Sequence, residues 1–136
     1  HPYELNMISK PIQAVTEFHE AFGLCIATHP TADLPAQISE LRFNLMKEEN
    51  EEYLEATKTN DLVEIADALG DMLYILCGTI ISHGMQYKIE AVFDAIQSSN
   101  MSKLGEDGKP IYREDGKVLK GPNYFRPDIA AALDQD

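Results

Sequence analysis

Ile8, Ile12, Val15, Phe18 and Phe22 recur three or four residues apart, which predicts an amphipathic helix over about residues 8–23 that Gly23 ends. Pro30 and Pro35 punctuate the loop over residues 25–35. Pro35 suits the first turn of a second helix, because the N–H it lacks would be unpaired there in any case. That helix is predicted to reach about Thr57, with Ile38, Leu41 and Leu45 as its apolar stripe. Asn60-Asp61 interrupts the pattern, and Asp61 is placed to cap a third helix that extends to His83 and stops at Gly84. From Met72 to Ile81 the third helix is apolar on every side, which predicts a central element buried all round. Ile89, Val92, Phe93 and Ile96 repeat the helical spacing and predict a fourth helix from about Tyr87 to Met101. Short connections between four helices imply an all-α, four-helix-bundle-like core.

After Lys103 glycines, prolines and polar residues dominate, and Glu-Asp-Gly-Lys occurs at 106–109 and again at 114–117. Asp-Gly is a tight-turn signal, so Pro110–Arg113 and Val118–Lys120 are predicted as short hairpin strands or an irregular arm, with a last short helix over 127–133. Six of the eleven basic residues lie between Lys103 and Arg126, so this is the least acidic stretch and a candidate anion contact. The length of 136 residues fits a single helical domain, with a core over about 8–104 and a C-terminal arm over about 105–136.

Hydrophobic residues make up 44% and charged residues 25% of the chain, enough apolar material for a core and unlike a disordered segment. The formal net charge of −12 repels the phosphates of nucleic acids and anionic membranes, so neither a nucleic-acid polymer nor a membrane is expected as a partner. Met72–Ile81 is about half of the ~20 residues that cross a bilayer. The opening His1-Pro2-Tyr3-Glu4 has neither the basic nor the apolar region of a signal peptide. Two cysteines, Cys25 and Cys77, make no disulfide framework and point to a reducing, cytoplasmic setting.

The stretch Lys47–Asp71 holds nine carboxylates, at Glu48, Glu49, Glu51, Glu52, Glu55, Asp61, Glu64, Asp67 and Asp71, against only Lys47 and Lys58. At about 100° per residue, Glu48 and Glu52, with Glu49 at the edge, continue the apolar stripe of the second helix. Glu64, Asp67 and Asp71 share one sector of the third helix, and Tyr74 and Gly78 extend that line. Acids on facing antiparallel helices repel one another and resist desolvation unless a cation neutralises them. All-oxygen ligation selects a hard dication such as Mg²⁺, with Mn²⁺ a possible substitute, and Mg²⁺ leaves positions for substrate phosphates. The bland alternative for Glu48–Glu55 is a solvated helix face. Against it stands the second triplet, on an otherwise apolar helix with no Lys or Arg between Lys58 and Lys88.

Glu48-Glu49-x-x-Glu52, Glu64-x-x-Asp67 and Asp71 within VEIADALGDMLYILCG, and Asn100-Met101-Ser102-Lys103 together resemble the MazG-like branch of the all-α nucleoside triphosphate pyrophosphohydrolases, which includes phosphoribosyl-ATP pyrophosphohydrolase relatives. The resemblance spans roughly residues 14–104. It implies Mg²⁺-dependent cleavage of a (d)NTP between the α and β phosphates, giving a nucleoside monophosphate and pyrophosphate, in a homodimer or homotetramer that clears non-standard or surplus nucleotides. Family members commonly carry Glu-x-x-Asp ending at the position of Asp71, where the Glu would fall on Ala68. Either Asp67 takes over the ligand role, or Glu64-x-x-Asp67 serves as the motif one turn earlier.

On this reading Glu48, Glu52 and Asp71 ligate the metal, Asp67 is a fourth ligand and Glu64 supports from the first or second shell. Glu49 is the candidate general base and a further acid of the metal site. Glu51 and Glu55 are read as solvated. The resemblance implies that Asn100 and Lys103 contact the triphosphate, against the alternative of a helix C-terminal cap. Tyr74 is a candidate hydrogen-bond donor to phosphate or sugar, His19 a candidate border of a base pocket, and Lys120 and Arg126 candidate phosphate clamps; for each, ordinary packing or surface charge is the alternative.

Competing classes leave fewer traces. A di-iron bundle needs Glu-x-x-His, and no glutamate here has histidine three positions later. Neither Gly-x-Ser-x-Gly nor a Walker-type phosphate loop is present. A non-catalytic acidic metal-binding or interaction module, and hydrolysis of phosphoribosyl-ATP itself, remain as alternatives.

Overall fold

A computed structural model of the chain describes residues 8–134. It is all-α: helices α1 (Ser9–Phe22), α2 (Ala36–Lys58), α3 (Leu62–Ser82), α4 (Ile89–Met101) and α5 (Ile129–Asp134) follow in order. The expectation for His1–Glu4 lies outside the described residues. Two compact units divide the chain, one up to Tyr87 and one from Lys88 onward.

In the first unit α3 packs against both α1 and α2. Helix α1 turns Ile12, Val15 and His19 inward and ends at Gly23, whose φ of 65° supplies the left-handed cap predicted for it. Pro35 precedes α2 at its cap position, one residue before the first turn. Between α2 and α3 the chain reverses in three residues. Asn60 takes φ 53°, the Asp61 N–H donates to the Ala56 carbonyl at 3.1 Å, and the Asp61 carboxylate accepts from the Glu64 N–H at 3.1 Å. The capping expected of Asp61 is present, and the turn makes α2 and α3 an antiparallel pair.

The loop between α1 and α2 is strapped to the end of α3. Ala27 N–H donates to Ile81, Thr31 N–H to His83, and the Gln86 amide to Ala27, at 3.1, 2.9 and 2.8 Å. Gly84 is required beneath this strap: its φ is +69°, and a Cβ there would meet the His29 carbonyl.

Two expectations from periodicity are corrected. The α3 helix is not buried all round, because α1 and α2 cover only two sectors of a helix that is apolar on every side. Cys77, Ile80 and Ile81 are buried, whereas Leu73, Tyr74 and Leu76 are 46%, 42% and 47% exposed. At 21 residues, α3 is by length and apolar composition alone long enough to cross a membrane, although the Met72–Ile81 run within it is too short to do so. Its three acids and its packing on α1 and α2 are those of a core helix. The inward stripe of α2 is also rotated by one residue. Ile38, Arg42, Leu45, Glu49 and Ala56 turn inward, while Leu41 is 52% exposed and Glu48 is exposed. Arg42 stands inward where periodicity places Leu41, with Nη2 donating to the Ile75 carbonyl of α3 at 2.6 Å and Nε to the Thr79 hydroxyl at 3.0 Å.

In the second unit α5 packs on α4, and the arm returns to the end of α4. Ser99 Oγ donates to the Phe125 carbonyl at 2.8 Å, Phe125 N–H to Ser102 Oγ at 3.1 Å, and Gly121 N–H to the Lys103 carbonyl at 2.8 Å. Both Asp-Gly turns form, and the predicted hairpin reduces to one antiparallel bridge between Tyr112 and Val118.

Candidate functional site

The α2–α3 hairpin brings together residues equally far from its turn. Glu49 lies eleven positions before Asn60 and Asp71 eleven after it; Glu52 lies eight before and Asp67 seven after. Glu49 is half-buried, and its Oε2 is buried with no hydrogen-bond partner. Burial pushes the Glu49 carboxyl up to about 7, helped by a hydrogen bond with Glu52, which forms only when one of the two is protonated, and by the negative charges of Asp71, Glu52 and Asp67. These four residues come from both acidic segments. A carboxyl oxygen aimed inward with nothing to bond is a group short of a proton or a cation.

Glu48 and Glu64 sit elsewhere on the hairpin. With Glu51, Glu52 and Glu55 they line an open groove, so Glu52 belongs to both the groove and the Glu49 cluster. Lys58 is bound to Glu55 at 2.9 Å on the surface. Among the described residues, no three acidic, histidine or cysteine side chains stand close enough to hold one ion as they are. Mg²⁺ does not demand such a cage, since it is usually held by one or two carboxylates, waters and substrate phosphates. The all-oxygen donor set, the orphaned Glu49 oxygen and the long, exposed side chains of Glu48 and Glu52 fit that mode of binding.

The other sequence candidates are spread more widely. Tyr74 stands one turn beyond Asp71 and meets Phe18 edge-on at 5.6 Å, and Phe22 lies tilted against Phe18 at 4.5 Å, so Tyr74 joins an aromatic cluster on α1. His19 is 2% exposed, with Nδ1 3.0 Å from the Cys25 carbonyl, so in this chain it has no free surface for a base. Asn100, Lys103, Lys120 and Arg126 all lie in the second unit. Asn100 is exposed at the end of α4, the Lys103 backbone is held by Gly121, and the Lys120 ammonium lies over the Tyr124 ring at 4.8 Å. Arg42 escaped the sequence reading. Its one signal was a cation interrupting the apolar stripe of α2 two turns before Glu49.

A family profile described as phosphoribosyl-ATP pyrophosphohydrolase matches residues 15–100, a range that contains α2, α3 and every acid of the cluster. An uncharacterized protein of Acanthamoeba polyphaga mimivirus is 34% identical over 114 residues, covering 79% of this chain and 45% of the viral protein. The chain thus spans less than half the length of that relative.

Proposed function

Since the chain belongs to the phosphoribosyl-ATP pyrophosphohydrolase family, and its activity at family level is of the pyrophosphohydrolase type, we propose that it is a Mg²⁺-dependent hydrolase cleaving nucleoside triphosphates to monophosphate and pyrophosphate. The observation that carries this reading is the orphaned Glu49 Oε2 among Glu52, Asp67 and Asp71.

In this proposal one or two of Glu52, Asp67 and Asp71 would hold the ion directly and the others through water, with Glu48 and Glu64 lining the groove beside it. A hard dication bound there would neutralise the acids, engage substrate phosphates and acidify the attacking water. Glu49 takes the proton from that water at Oε2. A carboxyl whose proton affinity is raised toward neutrality is suited to that role, because the ideal base titrates near the working pH. Asn100, Lys103 and Lys120, in the second unit, carry donors and positive charge of the kind that suits a polyphosphate, and Tyr74, in the first, offers a hydroxyl to sugar or phosphate. His19 is left out of the proposal because its ring is buried. Mn²⁺ substitutes for Mg²⁺, and the enzyme works in the cytoplasm on surplus or non-standard nucleotides.

The exposed apolar side of α3 supports a homodimer or homotetramer, since large apolar patches left open on one chain are covered in an assembly. The description of the matched family favours a second reading, in which phosphoribosyl-ATP itself is the substrate. One panel separates these: each common NTP and dNTP, and phosphoribosyl-ATP, incubated with Mg²⁺ and assayed for monophosphate and pyrophosphate. Pyrophosphate release from triphosphates is expected. Orthophosphate release points to another phosphohydrolase, and no cleavage at all to a non-catalytic acidic module.

A further inference from the structure

The apolar pattern of α2 and its observed orientation disagree, and Arg42 stands where they part. By hydrophobicity alone Leu41 faces α3, which carries Glu48 inward on the same stripe and leaves Glu49 at the edge. In the structure Leu41 is 52% exposed, Arg42 turns inward, and Glu49, seven residues and about two turns further on, follows it into the hairpin.

Arg42 makes no carboxylate contact among the described residues. Its guanidinium instead donates to Ile75 and Thr79 on α3, and the Thr79 hydroxyl itself donates to the Ile75 carbonyl at 3.1 Å, so three groups knot the two helices together. The opposite helix is cut to receive it. A Cβ at Gly78 would stand 2.9 Å from His19 Nε2 and closer still to Arg42 Nη2. Arg42 and Gly78 are each eighteen residues from Asn60, so the knot fixes the far end of the hairpin as the turn fixes the near end, with the acids between them.

We infer that Arg42 is a positioning residue, whose hydrogen bonds to Ile75 and Thr79 select the rotation of α2 that carries Glu49, rather than Glu48, into the cluster with Asp67 and Asp71. Apolar contact is non-directional and would accept Leu41 or Arg42 inward; directional polar bonds are the device that chooses one packing among near-equals. The inference rests on the proposal that these acids bind a divalent ion.

The test uses the full chain and Mn²⁺ alone, titrated by electron paramagnetic resonance, with circular dichroism to follow helix content. Arg42→Gln keeps a good helix former and removes the reach. It is expected to weaken Mn²⁺ binding about tenfold or more, in the range seen when groups that orient metal ligands are lost. Thr79→Val is expected to weaken binding less, and Arg42→Lys to recover part of the loss. A readout free of metal accompanies these: Leu41→Cys is expected to react with a thiol reagent several-fold more slowly in the Arg42→Gln background, because position 41 turns inward there. Unchanged Mn²⁺ affinity and unchanged reactivity at position 41 would overturn the inference. If Arg42→Gln loses its helix content, Thr79→Val decides, and wild-type affinity in that variant overturns it. Absence of Mn²⁺ binding by the wild-type chain strikes the metal reading and this inference together, whereas wild-type affinity in both variants strikes this inference alone.

Discussion

Glu49 and Asp71 stand at equal distances from the α2–α3 turn, eleven residues to either side of Asn60, and across the hairpin the charge of Asp71 raises the proton affinity of Glu49. Burial first, and then the acids around it, make the charged form of Glu49 unfavourable in the metal-free chain. The hairpin therefore holds a site whose repulsion is relieved by a proton or by a cation.

Glu49→Gln removes the carboxylate that takes the proton while keeping its shape. Turnover is expected to fall by about 10²–10⁴-fold, the usual worth of a positioned base, measured as pyrophosphate release at saturating Mg²⁺. Thermal unfolding of the metal-free variant is expected at or above the wild-type temperature, because a buried acid without a partner has been replaced by a neutral amide. A variant with wild-type rates removes Glu49 from the mechanism.

The raised Glu49 value also fixes the sign of a pH dependence. The folded chain holds this proton up to about 7, against an ordinary value of 4.5, so the contribution to stability is fully present below about 4.5 and is lost as pH rises through about 7. In the presence of EDTA, urea midpoints are expected to be lower at pH 8 than at pH 5. Added Mg²⁺ is expected to narrow that gap and to stabilise more at pH 8, where no proton has to leave first. Equal midpoints at the two pH values without metal would show that the cluster does not hold the proton.

The helices were legible because periodicity and punctuation agree: Gly23, Asp61 and Gly84 each mark the boundary that their backbone chemistry predicts. Both acidic segments were legible too, since nine carboxylates with two lysines have few structural uses. The orientation of α2 was not. A stripe scored by hydrophobicity chooses Leu41, and only the acceptors on α3 reveal why Arg42 turns inward. The burial of His19 was equally hidden, because it depends on the Cys25 carbonyl, six residues further along the chain in the loop after α1. Composition likewise does not distinguish an apolar helix enclosed by its own chain from one left open on one side, as α3 is.

Ala68, where the family pattern has Glu, leaves two candidates for the missing acid. Asp67 is the one whose charge acts on Glu49, whereas Glu64 lines the groove with Glu48 and Glu55. Asp67→Asn is therefore expected to lower Mn²⁺ affinity about tenfold or more and to lower the Glu49 titration only slightly, since burial, Glu52 and Asp71 still raise it, while Glu64→Gln changes affinity by a few-fold. Calorimetric titration of the two variants checks the order. The reverse order would place the motif one turn earlier, at Glu64-x-x-Asp67.

Leu73 and Leu76 lie on the side of α3 that neither α1 nor α2 covers, and Leu69 is half-exposed on the turn before them. Covering a fully exposed leucine is worth about 1.5–3 kcal/mol and a half-exposed one about half of that, so several together favour association against its entropic cost. The proposed homo-oligomer is expected to use this side, and a charge placed there must be desolvated on assembly. Light scattering of the wild-type chain is expected to give a dimer or tetramer, and Leu76→Glu is expected to shift it to monomer at micromolar concentration with its helix content intact. A wild-type chain that stays monomeric at every concentration would separate the exposed apolar side of α3 from self-association.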